Sequence, residues 1–134
     1  MARKGTPKGG LDEITERAYV NGADFTLVAY TNTPDSLGDD TVVADLVQPA
    51  QNNGYAPILL DGVWATADGI VTYDHGTPDF PTWTASGAWS APVTGVAVIF
   101  GTRVIHFVDY NDSGGSWVAS NGRKLAVDIT NMLG

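Results

Sequence analysis

The sequence predicts an all-β fold: a single β-sandwich or small barrel of about eight short strands, preceded by a flexible N-terminal arm. Three observations carry this expectation. Runs rich in β-branched and aromatic residues recur about every dozen residues, separated by clusters of Gly, Pro, Asn and Asp that break regular structure. The stretch GVAVIFGTRVIHFVDY consists of two apolar β-type runs divided by Gly101–Thr102, the pattern of a buried hairpin. Helical spacing, by contrast, is confined to two short stretches. Many short strands at such intervals are the pattern of a sandwich or barrel.

Along the chain, residues 1–10 hold three glycines, a proline and three cations, and no large apolar side chain except Met1. Such a segment cannot offset the entropy of ordering and reads as a flexible arm. LDEITERAYV places Leu11, Ile14 and Ala18 at helical spacing, which suits a short linker helix. The arm and this linker make up residues 1–22, and the β domain is expected over 23–134. DFTLVAYT predicts a first strand with Phe25, Leu27 and Ala29 on one face and Thr26, Val28 and Tyr30 on the other. NTPDSLGDD ends it in an exposed loop, after which TVVADLV permits a helical turn or two, capped by Asp40 or Thr41. GYAPILL predicts a second strand, at an edge or a bulge because Pro57 cannot donate to a ladder. Residues 64–67 and 69–73 read as strands joined through Asp68–Gly69, and Thr82–Ala85 as another. Beyond the Gly101 hairpin, NDSGG reads as a turn, WVAS as a short strand and Asn121–Gly122 as a second turn. LAVDIT closes the domain with Leu125, Val127 and Ile129 on one face. The hairpin from Val96 to Val108 is the expected centre of the core, with Ile99, Phe100, Ile105 and Phe107 among its contributors.

Composition narrows the function. The chain has 134 residues, no cysteine and only 16% charged residues, so it can bury a core without disulfides and leaves much of its surface uncharged. The net charge is −8, yet Arg3, Lys4 and Lys8 leave the rest of the chain at −11. A body this acidic repels phosphate, so no nucleic-acid partner is expected. No apolar run approaches the roughly 20 residues that span a bilayer, and MARKGTPKGG has no secretory apolar stretch, so neither a membrane nor export by that route is expected.

Candidate chemistry is sparse. His106 lies within the apolar hairpin, where a cross-strand or core role outweighs catalysis, because no nucleophile is placed beside it. His75 in YDHGTPD has Asp74 and Asp79 near it but no second histidine to complete a metal site. Asp109, Asn111 and Ser113 begin like a calcium loop, with Asp112 alongside. The twelfth position is Ser120 where a bidentate Glu is needed, so a plain turn is favoured. Carboxylates in SLGDD and YDHGTPD could form a glycosidase pair only if folding brought them together. No catalytic residue, cofactor or metal is therefore expected. Trp83 and Trp89, in a stretch broken by prolines and glycines, are candidate surface contacts for sugars or proteins; the alternative is that they plug the ends of the sandwich.

Phe25 to Asn32 as F-x-L-x-x-Y-T-N, Thr41 to Leu46 as TVVADL, and Asn53 to Pro57 as NGYAP resemble small virion structural proteins of tailed bacteriophages. Thr72 to Asp74 and the hairpin Val96 to Tyr110 continue the likeness, which spans about residues 24–110. The resemblance implies a β-rich, non-enzymatic protein of the virion, assembled in the host cytoplasm. Such proteins include capsid decoration or cement proteins that bind the major capsid protein, often as trimers, so a homo-oligomer is expected. A tail or fibre module that recognises a host carbohydrate is the alternative. In either setting Arg3, Lys4 and Lys8 are expected to form a partner-binding arm.

Overall fold

The computed structural model describes residues 25–68, 70–110 and 115–129, and they form an almost entirely β structure. The arm with Arg3, Lys4 and Lys8, the linker helix and the 22/23 boundary lie outside the described residues, as do Asn111, Asp112 and Ser113.

Eight strands are present among the described residues: β1 (Phe25–Tyr30), β2 (Ile58–Leu60), β3 (Val63–Ala67), β4 (Ile70–Asp74), β5 (Thr82–Thr84), β6 (Gly95–Phe100), β7 (Arg103–Asp109) and β8 (Lys124–Ala126). A four-stranded antiparallel sheet has the order β2-β1-β6-β7, and two smaller antiparallel pairs, β3-β4 and β5-β8, complete the fold. TVVADLV becomes a single 3-10 turn over Val43–Asp45. Its start is closed by the Asp45 carboxylate, which accepts the Val42 N–H at 2.9 Å, while Thr41 Oγ1 accepts from Gly38 N. The cap thus comes from inside the turn, because the β-branched pair Val42–Val43 permits only one tight turn. WVAS contributes only an isolated bridge, Trp117 to Val93, and the closing strand is limited to β8. Leu125, Val127 and Ile129 are nevertheless all buried, as their alternation requires.

The central sheet is covered on both faces, in a sandwich-like arrangement. On one face Phe25, Leu27, Ala29, Val96 and Val98 pack against side chains from the two small sheets, among them Tyr73, Trp83 and Leu125. On the other, Val28, Tyr30 and Ala97 meet Leu46 of the loop that follows β1. This double covering explains why β1 is buried along almost its whole length, although its residues alternate in direction.

The hairpin β6-β7 turns at Gly101 (φ +60°) and closes with Phe100 opposite Arg103. Its contribution to the core differs from the sequence expectation. Val96, Ala97 and Val98 are buried to 1% exposure or less, whereas Phe100, Ile105 and Phe107 are 44%, 37% and 39% exposed. Ile99 packs at the margin of the smaller cluster. The cause is topological: β7 is the last strand of the sheet, and a bulge between the Val98–His106 and Ile99–Val104 pairs leaves Ile105 without a partner across the ladder. Within the hairpin β6 is the interior strand, and its exposure is confined to its end, where Phe100 stands beyond Thr26–Ile99, the last pair of the β1–β6 ladder.

At the opposite edge, β2 pairs only with Phe25, Thr26 and Leu27 of β1. Where it stops, the Tyr55 hydroxyl takes the place of a strand, accepting the Ala29 N–H at 3.2 Å and donating to Gln48 Oε1 at 2.8 Å. Pro57 stands just before β2, where its missing N–H costs no ladder bond. Tyr55→Phe should therefore lose about 1–3 kcal/mol, the cost of a buried amide deprived of its partner. Chemical denaturation of the two proteins measures this, and equal midpoints would show that water replaces the hydroxyl.

Candidate functional site

The two histidines stand in separate places. His106 lies on β7 opposite Val98, and burial pushes its pKa down. His75 follows β4, with Nδ1 3.0 Å from the Tyr73 hydroxyl, which also accepts the Gly62 N–H at 3.0 Å. The carboxylates are likewise dispersed. Asp39 and Asp40 belong to the loop over one face of the sheet, while Asp74 and Asp79 belong to the segment on the other side, so folding does not bring the two acidic stretches together. Among the described residues no three His, Cys, Asp or Glu side chains gather in a group fit for a metal ion. No helix among them is long and apolar enough to cross a membrane.

Asp109, the first residue of the calcium-like stretch, is held inward. Its Oδ1 accepts the Tyr30 hydroxyl at 2.5 Å and its Oδ2 accepts the Asp35 N–H at 3.2 Å. This carboxylate fastens the end of β7 to β1 and to the loop beyond it. The Tyr30 ring is itself fully buried.

Trp83 and Trp89 are not surface contacts: they are only 2% and 7% exposed. Each indole N–H finds a backbone carbonyl, Trp83 Nε1 that of Ala56 at 2.7 Å and Trp89 Nε1 that of Asn53 at 2.9 Å. The prolines and glycines around them shape a chain that folds over the rings. Trp89 in turn packs on Trp117 at 5.2 Å between centroids, and the Arg123 guanidinium sits 5.2 Å above the Trp117 ring. Arg123 also donates to the Val118 carbonyl at 2.8 Å.

The surface is marked by apolar residues on thin elements. Val63 and Ile70, on the outward face of β3-β4, are 69% and 63% exposed; Phe100 is exposed at the end of β6, and Ile105 and Phe107 on the edge strand β7. A hollow of about 470 Å³ lies on the other side, lined by Asn32, Leu37, Asp39, Asp40, Thr41 and Asp45. Sequence reasoning did not single out the Arg123–Trp117 stack or the Tyr30–Asp109 bond, since both join residues distant along the chain. One signal was available: Arg123 and Lys124 are adjacent cations in an acidic sequence, next to the Asn121–Gly122 turn.

Burial raises the pKa of several tyrosines: Tyr55 and Tyr110 are pushed up to about 12, and Tyr30 is raised further, by burial first and then by its bond to Asp109. A pKa raised in the folded state gives stability that is complete below the unfolded value of 10 and is lost as pH rises through the folded one. The protein should thus lose stability between about pH 10 and 12, with tyrosine ionisation coinciding with unfolding. Absorbance near 295 nm followed beside circular dichroism tests this; full ionisation at pH 10 in a folded protein would contradict the burial.

Comparison with known proteins returns no match from any family model, any curated protein or any solved structure.

Proposed function

We propose that this protein acts by attachment, as a structural component of a phage virion, in the form of a capsid decoration protein that binds the major capsid protein as a homo-oligomer. The observation that carries the attachment reading is the exposure of large apolar side chains: Val63 and Ile70 on the two-stranded hairpin, Phe100 at the end of β6, and Ile105 and Phe107 on the edge strand β7. Large apolar groups on exposed strands favour a covering partner more than they favour solvent. The step from attachment to a phage head rests on the resemblance over residues 24–110. Binding to an assembled shell would stabilise it by mass action. The alternative of a carbohydrate-binding fibre module loses its proposed contacts, since the indoles of Trp83 and Trp89 are enclosed.

The test is direct. Heads stripped of their accessory proteins are mixed with the purified protein, sedimented and assayed for bound chain and for resistance to heat. Saturable binding to heads with a gain in resistance is the expected outcome. Recovery on tails alone, or on neither fraction, would overturn the decoration reading. Deletion of residues 1–10 within the same assay should weaken binding at low salt if Arg3, Lys4 and Lys8 contribute ion pairs, each worth about 1 kcal/mol or less.

A further inference from the structure

Two surfaces on opposite sides of the four-stranded sheet complement each other in charge. The first is the turn that leads into β8. Asn121 and Gly122 (φ +83°) project there, and the turn is pinned by Gly122 N–H to the Ala85 carbonyl at 2.7 Å and by Arg123 N–H to the Ser120 carbonyl at 2.9 Å. Arg123 is held in place by its contact with the Trp117 ring and its bond to Val118 O, and Lys124 is exposed beside it. These are two of only three basic residues among the described ones, which include ten aspartates. A guanidinium already stacked on an indole loses little freedom when it meets a carboxylate, and it retains donors that the Val118 carbonyl does not use.

The second surface is the hollow formed by the loop after β1. Asp39, Asp40 and Asp45 lie along it and are exposed, and Val42 and Val47 stand beside it at 41% and 58% exposure. Val118, 52% exposed, offers a matching apolar group next to Arg123. The loop packs on Val28, Tyr30 and Ala97, whereas Trp117 and β8 pack on the other face of the sheet. One chain therefore cannot bring its own turn to its own hollow.

We infer that the Ser120–Lys124 turn of one copy docks into the acidic hollow of a second copy, pairing Arg123 and Lys124 with Asp39 and Asp40. The contact joins two different patches, so it is head-to-tail and closes into a ring or extends as a chain. Charge complementarity selects the occupant: among the described residues, this turn gathers two of the three cations beside ten aspartates, so a second copy carries the charge that the hollow lacks. The inference does not depend on the virion reading, since it concerns copies of this chain alone.

Sedimentation velocity on the full chain tests it with two charge-reversed variants, Arg123→Glu/Lys124→Glu and Asp39→Lys/Asp40→Lys. The wild type should sediment above its 14.1 kDa monomer mass with rising concentration, and fall back toward it in high salt. Each variant alone should bind itself about tenfold more weakly or less, and an equimolar mixture of the two should regain association, because the reversed turn then meets a reversed hollow. Near-ultraviolet circular dichroism checks folding. Should loss of the Arg123–Val118 bond disturb the turn, Lys124→Glu alone replaces the first variant. A wild type that stays at the monomer mass at every concentration overturns the inference, as does a variant that associates like the wild type or a mixture that stays monomeric.

Discussion

Replacing Trp83 with alanine is expected to lower the melting temperature by about 10–20 °C, the consequence of losing about 3–5 kcal/mol from a domain of this size. Trp83 sits in β5, 2% exposed, with its ring 5.6 Å from Tyr55 and 6.3 Å from Trp89, perpendicular to the latter. Its N–H holds the Ala56 carbonyl, so truncation opens a cavity and also removes this part-buried hydrogen bond. Trp83→Phe divides the two effects, since it keeps most of the ring and removes only the hydrogen bond. Phe107→Ala is the control. That ring is 39% exposed on the edge strand, so its loss should cost a fraction as much. Equal losses for Trp83→Ala and Phe107→Ala, measured by calorimetry, would mean that the core does not lie between the central sheet and the two small ones.

The contrast between these two aromatics also shows what a sequence discloses and what it withholds. Alternation is a local property, so the two faces of β1, the turn at Gly101 and the buried series Leu125, Val127 and Ile129 could be read directly from the residues. Burial of an alternating face depends on what lies across from it, which is decided by strand order. β6 and β7 have equally apolar sequences, yet β6 is central and β7 is at the edge. Nothing within GVAVIFGTRVIHFVDY distinguishes those positions, and the bulge at Ile105 arises from the pairing rather than from any breaker residue. Ile105 and Phe107 therefore stand outside against the sequence expectation, and so does Phe100, which lies past the end of the β1–β6 ladder at Ile99.

Trp83 and Trp89 illustrate the converse. Prolines and glycines around an aromatic fit either an exposed loop or a ring that plugs the end of a sandwich, and here the same residues let the backbone fold tightly over the rings. Asn53, at φ +49°, directs its carbonyl toward both Ser86 N–H and Trp89 Nε1, while its side-chain amide donates to Ala88 O. One asparagine in a left-handed turn thus anchors a segment more than thirty residues away. Such long-range satisfaction of polar groups leaves no periodic trace in the sequence. The Arg123–Trp117 stack and the Tyr30–Asp109 bond were hidden for the same reason.

Gly95→Ala is expected to destabilise the protein by about 3 kcal/mol or more, toward or beyond the upper end of the range for overpacking. Gly95 opens β6, paired with Tyr30 on one side and with Asp109 on the other. A Cβ there would overlap Cζ and Oη of Tyr30 and the Val108 carbonyl oxygen. Neither obstacle yields easily: the Tyr30 ring is fully buried and tied to Asp109, and the Val108 carbonyl belongs to the backbone of β7. The glycine is thus required for close approach, and the tyrosine lying across it is what allows Asp109 to hold the end of the sheet. Gly101→Ala separates this effect from ordinary backbone cost, because a Cβ at Gly101 meets nothing within 4 Å and only its φ of +60° is unfavourable, a penalty of about 1–2 kcal/mol. The decisive measurement is a double-mutant cycle. Tyr30→Leu removes the part of the ring that a Cβ at Gly95 would strike, so the Gly95→Ala/Tyr30→Leu protein should be more stable than the sum of the two losses predicts, by about 1 kcal/mol or more. Relief should be incomplete, since the Val108 carbonyl remains in the way. Strict additivity would show that the ring and the glycine do not meet, and would dissolve the explanation for a glycine at the start of the most deeply buried strand in the hairpin.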